Sequence, residues 1–168
     1  MLFIKSFPCD LVQTDDLACW LEEVSCSLEN TIPYHKLRLL IHEAFVNTCK
    51  FSRHPGAEVI IVIRKTDGRL DIAITDPGAG FELPESLAFP GSVALPGTCW
   101  KLVFDREMQV LAELQSDRSI RFFLEKENNL PDTELKENHR GLISILKISR
   151  NLSYHYVPNS FNYLHISC

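Results

Sequence analysis

The chain has 168 residues, a formal net charge of -5 at pH 7, 45% hydrophobic and 23% charged residues. That length suffices for one domain with a real core, and the composition is that of an ordinary globular protein. The mildly acidic balance argues against nucleic acid as the main partner, because holding phosphates takes a basic surface.

Leu2 to Phe7 alternates well enough for a first strand, ended by Pro8. Its apolar run is too short for a secretory signal, and Lys5 interrupts it. No apolar stretch approaches the roughly 20 residues of a membrane helix. The six cysteines, Cys9, Cys19, Cys26, Cys49, Cys99 and Cys168, show neither a CxxC pair nor zinc-ligand spacing, and read as reduced thiols. The expectation is a soluble, cytoplasmic protein with no membrane partner.

Thr14 or Asp15 is positioned to cap a helix running to about Leu28, with Leu17, Trp20, Leu21, Val24 and Leu28 at helical spacing. Asn30 to Pro33 break it. Tyr34 to Phe51 then carries Leu37, Leu40, Ile41, Ala44, Phe45 and Thr48 at the period of an amphipathic helix. Glu43 and Asn47 are four residues apart and therefore about 40° apart on that helix. Lys36 and Lys50 fall on the same stripe at the margin of the apolar face. Such a stripe can line a pocket or simply face water. His42 is read as facing away from it.

Arg53 to Gly56 form a turn. Ala57 to Lys65 is a β-branched strand, and Thr66-Asp67-Gly68 signals a hairpin into Arg69 to Asp76, with Leu70, Ile72 and Ile74 on one face. Strand, helix, helix, strand, strand is the order of an α+β layer, with helices over one face of a sheet. The strand ends in Asp76-Pro77-Gly78-Ala79-Gly80-Phe81, where two glycines permit a sharp turn and close approach of a ligand. The acidic residue can accept a hydrogen bond from an amino group.

Residues 82–139 read as an irregular insert or lid, punctuated by Pro84, Pro90, Gly91, Pro96 and Gly97. Within it Asp105 to Leu114 reads as helical, Ser119 to Leu124 as a strand and Glu125 to Asn138 as loop. Trp100, Phe104, Phe122 and Phe123 read as local core. Arg140 opens a last helix running to about Asn151, with Leu142, Ile145, Leu146 and Ser149 facing inward. Gly141 leaves room for a phosphate at its free N–H groups. Leu152 to Val157 and Phe161 to Ile166 close the chain as strands around a Pro158-Asn159-Ser160 turn. His139, His155 and His165 show no metal spacing.

Three of these stretches together resemble the Bergerat-fold ATPases, the superfamily of gyrase and the histidine kinases. HEAFVNTCKF, from His42 to Phe51, resembles the N box, E-x-x-x-N. TDPGAGF, from Thr75 to Phe81, resembles the G1 box, D-x-G-x-G. HRGLISILKISRNLSYHY, from His139 to Tyr156, resembles the G2 box with its helix and strand. Within the superfamily the likeness is greatest to the anti-sigma factor serine kinases. It spans about Leu2 to Gly80 and Arg140 to Ile166, not the segment between.

The resemblance implies a single domain over 1–168: a two-layer sandwich with a mixed, largely antiparallel sheet covered on one face by helices. It implies ATP and Mg²⁺ as cofactors. Glu43 would be the general base that takes a proton from a substrate serine. Asn47 would coordinate Mg²⁺. Lys50 would lie near the phosphates, and Asp76 would bind the adenine amino group. Gly78 and Gly80 would shape the pocket floor, and Arg140 and Gly141 would belong to the lid. The implied partners are a sigma factor and an anti-anti-sigma factor of the STAS type, phosphorylated on serine. Related kinases are commonly dimers.

The chain departs from the family pattern at Ile143, where the family has a second glycine, and at Phe51 and Ser52. The insert roughly doubles the usual distance from G1 to G2. A β-branched side chain at 143 removes backbone freedom and crowds a phosphate. The alternative reading is therefore a non-catalytic regulatory module that keeps the fold and the partner surface. The ATP-binding half of a histidine kinase is a third reading.

Overall fold

A computed structural model describes residues 1–28, 31–51, 56–78, 95–105, 108–126, 140–157 and 160–168. Its elements are β1 (Leu2–Pro8), α1 (Thr14–Ser27), α2 (Tyr34–Phe51), β2 (Glu58–Thr66), β3 (Arg69–Asp76), β4 (Cys99–Asp105), β5 (Met108–Ser116), β6 (Ser119–Lys126), α3 (Arg140–Ile148), β7 (Asn151–His155) and β8 (Asn162–Ser167).

The strands form one eight-stranded sheet in the order β1-β2-β3-β8-β7-β6-β5-β4. Every neighbouring pair is antiparallel, so the expected mixed sheet is corrected to a purely antiparallel one. Part of the reason is topological. Two helices separate β1 from β2, an even number of traverses, so β2 returns antiparallel beside β1. The β2–β3 turn holds Asp67 at φ 40° and Gly68 at φ 77°, the two positive values that a tight two-residue hairpin turn requires.

The core lies between the helices and one face of the sheet. Leu37, Leu40, Ile41, Ala44 and Phe45 of α2 are fully buried, on the stripe that their spacing predicts. They meet alternate residues of the strands, among them Ile61, Ile63, Ile72, Ile74, Leu152 and Ile166. Burying each of these leucine, isoleucine and phenylalanine side chains contributes about 1.5–3 kcal/mol. Phe7 stacks its ring edge against Phe45 and also meets Trp20, which ties β1 to both α2 and α1.

The start of α1 differs from expectation. Asp10 caps a 3-10 turn over Leu11–Gln13 that leads into the helix, its Oδ1 accepting from the Val12 N–H, and Gln13 at the N-cap of α1 itself makes no side-chain cap bond. Thr14 instead donates its hydroxyl to the Leu11 carbonyl.

The insert differs more. Met108 to Ser116 is a strand, not the helix expected from Asp105 to Leu114. Together β4, β5 and β6 form a meander that extends the main sheet beyond β7. In β5, Ala112 and Leu114 alternate into the main core, where Trp100 and Phe122 join them. The local spacing of Val110, Leu111 and Leu114 suits a helix as well, and the flanking strands decide the outcome. Residues 82–94 and 127–139, which carry the rest of the expected insert, lie outside the described residues. α3 stops at Ile148, short of the expected Asn151, because Asn151 already pairs with Ser167 in the sheet.

Candidate functional site

Glu43 and Asn47 project from α2 beside its buried stripe, and both are half-buried. α3 packs against α2 and delivers Gly141 directly onto this pair. A Cβ built on Gly141 would collide with Glu43 Oε2 and sit 3.3 Å from Asn47 Nδ2. Glycine therefore leaves the Glu43 carboxylate in its present place, where a Cβ would make the end of that side chain shift. The first turn of α3 carries N–H groups without helical partners and the positive end of the helix dipole. A carboxylate beside it is in a favourable field. His42 does not turn fully away: its Nδ1 lies 3.9 Å from Glu43 Oε1, too far for a hydrogen bond but near enough to feel its charge. Lys36 and Lys50 are both exposed.

The second group of residues forms at the end of β3. Leu70, Ile72 and Ile74 alternate into the core, and the same alternation points Asp76 to the helix-covered face. Asp76 Oδ1 accepts from the Gly78 N–H at 2.7 Å, and Oδ2 accepts from the Tyr154 hydroxyl at 2.6 Å. The Gly78 carbonyl accepts from Asn162 Nδ2 at 2.8 Å. Asn162 is also hydrogen-bonded to Tyr154, so Asp76, Gly78, Asn162 and Tyr154 close a ring across β3, β8 and β7. A Cβ on Gly78 would come within 2.8 Å of Asp76 Oδ1, so glycine keeps this turn tight.

Tyr154 is 4% exposed. Burial first, then the charge of Asp76 and the hydrogen bond to it, raises its pKa; the Asn162 hydrogen bond pulls the other way. The phenol thus stays a proton donor throughout the neutral range. Asn162 is 2% exposed, and its orientation is fixed because the Gly78 carbonyl can only accept. Among the described residues its Oδ1 is consequently buried without a partner. A buried acceptor left in that state favours a ligand or water that brings a donor.

Sequence reasoning singled out Glu43, Asn47, Asp76, Gly78 and Gly141, and these fall into the two groups just described. It missed Tyr154 and Asn162. The available signal was an inward-facing position on each closing strand filled by a residue that must find a hydrogen-bond partner. Gly80 and the Arg140 side chain lie outside the described residues.

On chemistry, the side-chain oxygen of Asn47 suits a hard cation such as Mg²⁺, which keeps most of its shell as water and phosphate, and the Glu43 carboxylate beside it suits a proton acceptor. Among the described residues no group of three or more His, Cys, Asp or Glu stands ready to hold a metal. The Asp76 and Asn162 oxygens suit an amino group. All six cysteines are free, and no described helix is long and apolar enough to cross a membrane. Compared with known proteins, the chain matches no family model and no curated sequence.

Proposed function

We propose that the chain is a Bergerat-type ATP-binding domain acting as an anti-sigma factor with serine kinase activity. One observation carries this reading: Gly141, of the motif resembling the G2 box, lies against Glu43 and Asn47 of the motif resembling the N box. Motifs remote in sequence would have to meet in this way to share a nucleotide. Asp76 on the helix-covered face supports the reading further.

In this scheme Asp76 orients the base through its amino group, and Asn47 holds the cation. Lys50, Arg140 and Gly141 would lie near the phosphates, and Gly78 and Gly80 would shape the floor. Glu43 accepts the proton of the attacking serine. Held by Asn47, Mg²⁺ would neutralise phosphate charge, and the remaining work would be positioning, the larger part of phosphoryl transfer. The partners would be a sigma factor, sequestered, and a small anti-anti-sigma protein, phosphorylated. Capture of bound proteins from the native cell identifies them. With that partner in hand, Glu43→Ala should lower transfer by on the order of 10²- to 10⁴-fold while leaving Mg-ATP affinity within about threefold. Unchanged phosphorylation would refute the role of Glu43.

A second reading has its own observation. Ile143, where the family pattern has glycine, is 7% exposed and packs with Val110 of β5. The start of α3 is thereby fastened to the strand extension, which suits a regulatory module that binds its partner without transferring phosphate. Partner binding with no transfer at saturating Mg-ATP would favour it.

A further inference from the structure

Asp76 is gripped at both oxygens before any ligand arrives. The Gly78 N–H holds Oδ1 from its own turn, and the Tyr154 hydroxyl holds Oδ2 from two strands away. The terminal torsion of an aspartate is otherwise soft. Two donors on two different oxygens fix the carboxylate plane, and so fix where its remaining lone pairs point. An ionised carboxylate only accepts. Held in one plane, it welcomes an N–H at one spot and repels a carbonyl oxygen at the same spot.

We infer that Tyr154 is a positioning residue that makes the Asp76 site select 6-amino over 6-oxo purine nucleotides. This rests on Asp76 being the base contact. The tyrosine need not touch the nucleotide; it acts by holding the carboxylate. It is well suited to this. It is buried, its ring is part of the main core, and its hydroxyl keeps its proton. The companion hydrogen bond to Asn162, itself tied to the Gly78 carbonyl, steadies the turn on the other side. A glycine-flanked aspartate on an unsupported turn would lack this second grip.

The test is the ratio of affinities for Mg-ATP and Mg-ITP, which differ by the amino or oxo group at the position in question, in wild type, Tyr154→Phe and Asp76→Asn. The wild type should prefer ATP by on the order of 10- to 100-fold, the worth of one hydrogen bond to a charged group. Tyr154→Phe keeps the ring and removes only the hydroxyl, and should shrink the preference by about fivefold or more. Asp76→Asn should abolish it. The ratio is taken within one variant, so a lower folded fraction affects both nucleotides alike and a merely structural role leaves it unmoved. A preference in Tyr154→Phe within about twofold of wild type, with Asp76→Asn flattened, overturns the inference and leaves the site reading standing. Failure of the wild type to bind either nucleotide, or an Asp76→Asn ratio equal to wild type, overturns the base contact and the inference together.

Discussion

The same three strands build two polar clusters on opposite faces of the sheet. On β3, β7 and β8 the residues Asp76, Tyr154 and Asn162 point to the helices; Asp71, Ser153, His155, Tyr163 and His165 point the other way. The covered cluster is the closed ring around Asp76. The opposite one is a looser chain. Arg64 meets Asp71 at 3.1 Å, His165 lies 3.4 Å from Asp71, the His155 ring stacks on Tyr163 at 4.7 Å, and His155 Nε2 is 2.8 Å from Ser153 Oγ. Similar residue types thus do different work. Tyr154 and Asn162 are buried, so a partner lost there is hard to replace and each bond matters. On the other face Arg64 and the histidines are more exposed, and solvent screens the charges.

The largest expected contrast pits tyrosine against tyrosine. Tyr154→Ala opens a cavity in the main core and strands Asp76, and should cost about 3–5 kcal/mol. Tyr163→Ala removes one stacking partner from a half-exposed site and should cost about 1 kcal/mol. Urea unfolding of both variants measures this, and equal losses would erase the distinction between the faces.

Next comes pH. Tyr154 has a raised pKa, so above about 10 the unfolded chain loses a proton that the folded chain keeps. Stability should fall as pH climbs beyond that point, and Tyr154→Phe should remove that part of the loss. His155 has a lowered pKa, chiefly from burial and then from His165. The unfolded chain therefore takes up a proton near pH 6.5 that the folded chain resists. Stability should drop as pH falls through the ordinary histidine range, by less than the alkaline loss. It should level off once folded His155 is charged too. His155→Gln should flatten that acid slope without touching the alkaline one. Denaturant midpoints followed across both pH ranges separate the two faces.

The parts of this fold set by local chemistry were legible in the sequence. The α2 stripe from Leu37 to Phe45 follows from spacing, and its limits at Tyr34 and Phe51 match expectation. The Asp67-Gly68 hairpin follows from turn chemistry. β5 was not legible, because Val110, Leu111 and Leu114 satisfy a helical and a strand pattern alike, and β4 and β6 on either side decide between them. The candidate site divides the same way. Glu43 with Asn47 is a spacing within one helix. The Tyr154–Asp76 bond joins residues 78 apart and the Asn162–Gly78 bond residues 84 apart, pairings that only the sheet order brings about. Ile143 was read only as an obstacle to a phosphate, whereas it is also a core residue against Val110.

Calorimetric titration of the wild-type chain and Asp76→Asn with Mg-ATP bears most directly on the proposed nucleotide site. Saturable binding by the wild type, weakened on the order of tenfold or more by the asparagine, is the expected outcome. No heat of binding in the wild type up to millimolar nucleotide, or equal affinity in the two proteins, would contradict it.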